Sequence, residues 1–495
     1  MTPGGLGSVV PSRAVFRALA AGGRMVPVYR EVYADQETPV SAFRKIDDGA
    51  HAFLLESLGG GETWGRISLL GSRPALVFTA RGAGCEILEQ GVTRPGARAP
   101  AEELAALLAQ RQAVALPGLP RSCGGAVGFL GPGAACWFDA GPAADRGPQE
   151  PPDAVLLFTD VVSVFDHVAH TIKVVTHAWG GSDPDGAWQA AAARLDAELA
   201  RLARPLPWPE SAGGGTAPEP DSSLTREAHR AAVERIREHI RAGDLLQATL
   251  ARRLDTPVRE PAFEAYRALR VACPAPFMHF LRLGDLCLAG ASPGILVRRT
   301  GNVVEARPLS GGRARGRTAS EDERLADELR ADERERAAHV LLVDVARSDL
   351  GRVAEFGTVE TAGFMTVERD ARQLHLASTV RGRARPGLGP LDLSRACFPA
   401  AGLCGVPRGR AQEVLAALEG VPRSVHSGVV GHFGYQGDLD LCGASRTMIH
   451  ARGRASWWAG AVISADTDPE SAWRESEDDS RSPGLAVERS ERGRA

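Results

Sequence analysis

Residues 205–223 read PLPWPESAGGGTAPEPDSS, and a stretch so dense in Pro, Gly and Ser can continue neither a helix nor a central strand. It reads as a linker or surface loop that divides the 495 residues into two halves. Each half is long enough to bury a core. Before the division, residues 52–57 (AFLLES), 75–80 (ALVFTA), 155–165 (VLLFTDVVSVF) and 171–176 (TIKVVT) are rich in β-branched and aromatic side chains, which predicts strands. A helix is predicted over 186–202. After the division, Thr225 can cap a helix whose Val233, Ile236 and Ile240 recur at helical spacing and which stops at Gly243-Asp244. Residues 245–254 predict a strand with Gln247 and Thr249 on one face. A long helix is predicted from 320 to about 347, with Glu321, Asp322 and Glu323 at its positive end. Strands follow at 428–435 and 455–464. Strands and helices mixed in both halves predict an α+β fold.

Bulk composition excludes several classes of partner. The 44% hydrophobic and 24% charged content is that of a globular protein, and a formal charge of −3 offers no field for nucleic acid or an anionic membrane. No apolar run reaches the roughly 20 residues that span a bilayer. The N-terminus is interrupted by Arg13 and Arg17, unlike a secretory signal. The eight cysteines form no CxxC pair and no zinc-ligand spacing, which predicts reduced thiols and a cytoplasmic protein.

Several longer blocks go beyond composition. The N-terminal half carries VPVYREVYADQETPVSAF (26–43), AFLLESLGGGETWGRISLLG (52–71) and PDAVLLFTDVVSVFDHVAHTIKVV (152–175). The C-terminal half carries GDLLQATLARRL (243–254), GASPGILV (290–297), RPLSGGRARGRT (307–318), ERAAHVLLVDVARSDLGRV (335–353), ACFPAAGLCGVPRGRA (396–411) and GYQGDLDLCGASRTM (434–448). In order and spacing the chain resembles component I of anthranilate synthase, a chorismate-utilising enzyme. The resemblance implies a sandwich of two mainly antiparallel β-sheets flanked by helices. It also implies an N-terminal domain over 25–204, a linker at 205–223, a chorismate-binding domain over 224–480 and a disordered tail at 481–495. The implied reaction joins chorismate with ammonia from a glutamine amidotransferase subunit (component II), giving anthranilate and pyruvate for tryptophan or secondary-metabolite biosynthesis. An acid helps the C4 hydroxyl leave, ammonia attacks C2, and pyruvate is eliminated.

The same resemblance assigns roles. His375 and Gln247 stand at catalytic positions, Arg446, Gly460, Gly311 and Gly405 at substrate-binding positions, and Glu475 at a Mg²⁺-ligand position. Glutamine cannot serve as a general base, so Gln247 stands with the branch that adds ammonia rather than water. Ser310 stands where some relatives carry a lysine nucleophile, against a covalent amine route. Leu55, Glu56, Ser57, Pro274 and Met278 fall where the family binds tryptophan as a feedback inhibitor.

Other positions depart from the family pattern. Gly294, Ala338 and Ala472 stand where the family keeps acids, Gly312 and Gly402 replace threonines, and His426 replaces a tyrosine. Val462 replaces a loop glycine, Asp479 replaces a lysine, and Ser482-Pro483-Gly484 predicts a break in the last helix. Two expectations follow: an anthranilate synthase large subunit, or a divergent paralogue or pseudoenzyme that keeps the fold while its Mg²⁺-dependent chorismate chemistry is lost or altered.

Overall fold

A computed structural model describes residues 7–58, 65–138, 147, 150–206, 215, 217–370 and 373–493. Residues 207–214 and 216 of the expected linker, and 494–495 of the expected tail, lie outside the described residues. The apolar runs become strands, among them His51–Glu56, Leu76–Arg81, Thr171–Ala178, Gln247–Pro257, Val429–Gly434 and Arg454–Ile463. Among the described residues they build two largely antiparallel sheets of 13 and 12 strands.

The sheets pack face to face, and helices cover their outer faces. Phe53 and Trp458 of the first sheet share an interior cluster with Phe129 and Val430 of the second. Successive side chains alternate, so Leu54 turns outward to the helices over the first sheet and Phe78 to those over the second. Strands covered on both faces read as unbroken apolar runs, as the fully buried Ala154–Phe158 does. The expected α+β sandwich is the observed one.

Two predicted elements divide. The run 155–165 becomes Ala154–Phe158, paired with Leu76–Arg81, and Val161–Asp166, paired with Ile67–Ser72 in the other sheet. The helix predicted over 320–347 becomes Ala319–Ala331 and Glu333–Gly351. Asp332 between them is extended, and its carboxylate accepts from the Arg334 and Glu335 amides at 3.1 and 3.2 Å, starting a second helix. Both sheets also cross the division at 205–223: Glu56 pairs with Met278 in one and Phe129 with Val430 in the other.

The expected break and disordered tail are corrected. The last helix runs from Pro469 to Glu491 with Pro483 inside it. An internal proline removes one hydrogen bond and crowds a carbonyl, at about 3 kcal/mol. Burial offsets this, because Pro483, Ala486 and Val487 are packed beneath the surface, against Ala262–Ala272 and Arg454–Ile463. The helix therefore stays continuous beside the candidate site.

Among the described residues no disulfide joins any of the eight cysteines, and no helix is long and apolar enough to cross a membrane. Burial lowers the pKa of His177, His229, His279, His339 and His450 to about 4. Between about pH 6.5 and 4 the unfolded chain then binds more protons than the folded one, so stability falls as pH falls through that window. Thermal melts are expected to show a steep drop in Tm across it. A flat Tm would contradict the neutral, buried state of these rings.

Candidate active site

The second sheet supplies the histidine. Strand Leu309–Ala314 slips register against Gln373–Arg383 between Ser310 and Arg313. Gly311 lies in this irregularity with φ +67°, a conformation that side chains resist. Its carbonyl accepts a hydrogen bond from Nδ1 of the buried His375 at 2.6 Å, and Nε2 lies 3.0 Å from Asp370 Oδ2. A Cβ on Gly311 would stand 3.2 Å from Glu335 Oε2, so glycine also leaves room for that carboxylate.

Arg446 bridges the two sheets just before strand Thr447–Ala451. Its Nη2 donates to Gln373 Oε1 at 2.5 Å, its Nη1 lies 3.8 Å from Cys273 Sγ, and its Nε lies 3.6 Å from Asp479 Oδ1. Gln373 and His375 are two residues apart on one strand and share a face, which sets Arg446 and His375 along one wall. Burial works against the guanidinium charge, but Asp479 and the neighbouring Cys273 and Asp370 raise its pKa above the ordinary value.

The first sheet supplies backbone groups. Gln247 is buried at the start of its strand, where the next residue, Ala248, pairs with both Gly405 and Ile463. Gly405 has φ +134°, and a Cβ there would come within 2.6 Å of the Gln247 carbonyl. Strand Thr447–Ala451 pairs with Arg454–Ile463 only as far as Ser456. Beyond that point the outward amides of Gly460 and Val462 have no strand to meet. Carboxylates of the last helix take them instead: Asp479 Oδ2 accepts from Gly460 at 3.1 Å, and Glu475 Oε1 from Val462 at 3.2 Å.

Glu475 retains solvent exposure while Arg334, Glu335 and Asp479 act on its charge. Desolvation raises its carboxyl to about 7, against the Val462 amide and Arg334, while Glu335 and Asp479 add repulsion. Glu335 is likewise raised, chiefly by burial. Sequence reading missed Glu335. The available signal was its spacing, three residues before Ala338 and so on the same face of one helix. Arg334 Nη2 donates to Thr467 Oγ1 at 3.1 Å, tying the start of the Glu335 helix to the segment leading into the Glu475 helix. Among the described residues no group of three or more His, Cys, Asp or Glu side chains could hold a metal ion. Mg²⁺ often takes one or two carboxylates and completes its shell with water and substrate oxygens, so Glu335 and Glu475 fit it as a reduced donor set.

The positions that lost acids are structurally different from one another. A Cβ at Gly294 would meet Leu309 Cδ1 at 2.3 Å, so a leucine fills that space. Gly294, Leu309, Gly402 and Ser445 line a cavity of about 160 Å³. Ala338 is half-buried. Ala472 is fully buried among Val233, Ile236, Leu245 and Ile463. His426 is buried and stacked on Trp458 at 6.2 Å. Glu470 pairs with Arg226 and Asp478 with Arg481, while Glu477 is exposed. Ala472→Glu would bury a carboxylate in an apolar cluster, and urea unfolding is expected to show a loss of about 1–3 kcal/mol. An unchanged midpoint would contradict that packing.

A second group lies on the first sheet. Glu56 is paired with Met278 and Leu55 with His279, and the Leu58 amide donates to the Ala275 carbonyl at 3.1 Å. Leu55, Glu56 and Ser57 are thus brought beside Pro274 and Met278. The buried Glu56 carboxylate accepts from Tyr266 Oη at 2.6 Å and Arg270 Nε at 3.1 Å.

A family model described as chorismate binding enzyme matches residues 50–482. The chain is 39% identical to anthranilate synthase component 1 of Streptomyces coelicolor, over 98% of this chain and 93% of that one. It is 35% identical to that of Acetivibrio thermocellus, over 93% and 94%. The crystal structure of anthranilate synthase component I from Streptococcus pneumoniae superimposes with a TM-score of 0.74 at 29% identity, covering 85% of this chain and 92% of that one.

Proposed function

The chain belongs to the family of chorismate binding enzymes, and from that premise we propose that it converts chorismate and ammonia into anthranilate, pyruvate and water. The observation that supports this reading is the clustering of Arg446 on Gln373, of Gly311 between His375 and Glu335, and of Glu335 and Asp479 close enough to act on the charge of Glu475. Arg446 and the Gly460 amide receive a ligand carboxylate, as a guanidinium fork and a backbone donor do. Glu335 and Glu475 would hold Mg²⁺, which would supply positive charge to a substrate carboxylate. His375 passes a proton to the departing C4 hydroxyl. Its Nδ1 stays on the Gly311 carbonyl, which fixes the ring, and Nε2 leaves Asp370 to serve the substrate. Gln247 cannot draw a proton from water, so ammonia remains the nucleophile. A glutamine amidotransferase subunit delivers it.

Two carboxylates, against the single one legible in sequence, weigh against a chain that keeps the fold without the chemistry. Tryptophan binds as an inhibitor between Leu55–Ser57 and Pro274–Met278, where Cys273 Sγ touches Arg446 and links the two sites. The pathway is tryptophan or secondary-metabolite biosynthesis, in the cytoplasm. Incubation with chorismate, Mg²⁺ and an ammonium salt tests the proposal. Anthranilate fluorescence matched by equimolar pyruvate is expected, and chorismate left unconsumed would overturn it.

A further inference from the structure

We propose that Asp479 is an internal carboxylate occupying the ligand-carboxylate subsite formed by Arg446 and the Gly460 amide, so that an incoming carboxylate binds by displacing it. The inference rests on the proposed function for the role of Arg446, and on this chain's own geometry for the occupant. One Asp479 oxygen lies 3.6 Å from the guanidinium and the other 3.1 Å from the glycine amide. A cation and a backbone donor on one carboxylate are the partners an external carboxylate would need.

Three features hold it there. The Gly460 amide lies past the end of the neighbouring strand, so the sheet offers it no partner on that side. Asp479 is one turn beyond Glu475 on a helix that continues through Pro483, so its backbone is fixed rather than frayed. Arg446 is anchored independently by Gln373 and by Cys273, so its guanidinium stays in place if Asp479 swings away. A lysine, the residue the resemblance leads one to expect at this position, would leave the subsite open and add to its positive charge. Aspartate closes it and cancels charge. Asp479 is therefore an affinity-setting residue: ligand and side chain compete for the same two donors, and two carboxylates cannot share them without strong repulsion.

Two substitutions separate this from a structural role. Asp479→Asn keeps the shape and removes the competing charge, and calorimetry is expected to show chorismate binding at least about tenfold tighter than in the unaltered chain. Asp479→Ala vacates the subsite, so sodium acetate is expected to raise its Tm while leaving that of the unaltered chain unmoved, and adding Arg446→Ala should abolish the response. Equal acetate responses in Asp479→Ala and the unaltered chain, or weaker chorismate binding in Asp479→Asn, would overturn the proposal. Acetate stabilising only Asp479→Ala while no form binds chorismate would support the carboxylate subsite and overturn the proposed substrate.

Discussion

Replacing Glu475 by glutamine is expected to lower kcat/KM for chorismate by about 10²–10³, because it removes one of the two carboxylates proposed to hold Mg²⁺ and with it several kcal/mol of charge stabilisation. The Mg²⁺ concentration for half-maximal rate should rise in parallel, read from anthranilate fluorescence in a Mg²⁺ titration. Stability is expected to move the other way. The folded carboxyl titrates at about 7, above its ordinary 4.5, so the folded state holds this proton where the unfolded chain has lost it. Its favourable contribution is complete below about pH 4.5 and is lost as pH rises through about 7. Above that point the carboxylate is repelled by Glu335 and Asp479, and Glu475→Gln should match or exceed the Tm of the unaltered chain. Gains in stability paired with losses in rate mark a residue kept for function. A variant losing both would place Glu475 among structural side chains instead.

His375→Ala is expected to lower kcat by about 10²–10⁴, the usual worth of a positioned proton donor. Chorismate affinity should change little, since Arg446 is held by Gln373 and Cys273 rather than by the imidazole. Asp370→Asn leaves the ring anchored on Gly311 and should cost less than the alanine variant. Steady-state kinetics with calorimetry separate the two parameters. A rise in Kd with kcat unchanged would assign His375 to binding.

Much of this site is legible in sequence because its parts are tied to motifs. Gly311 meets His375, Asp479 joins Arg446 to the Gly460 amide, and Gly405 pairs with Ala248, so residues from separate motifs do come together, and the strands of the sandwich are continuous apolar runs. What escaped has physical causes. The run 155–165 is apolar throughout, so nothing in its period marks the step between sheets at Thr159-Asp160. Asp332 reads as one more acid in a charged helix until its carboxylate is seen capping two amides. Pro483 breaks helices by local propensity, and tertiary burial overrides it. Glu335 shares the first turn of its helix with Glu333, so composition does not single it out and only its spacing from Ala338 does. Asp479 read as a lost lysine, whereas its meaning depends on where strand Thr447–Ala451 ends, which no local pattern records.

On the proposed reading this site adds ammonia, and not water, to chorismate. Incubating the chain with chorismate, Mg²⁺ and ¹⁵N-ammonium in ¹⁸O-water, followed by mass spectrometry of the aromatic product, tests it most directly. The expected product is anthranilate carrying one ¹⁵N and no ¹⁸O. A hydroxylated product carrying ¹⁸O, with no ¹⁵N-anthranilate, would contradict ammonia as the nucleophile.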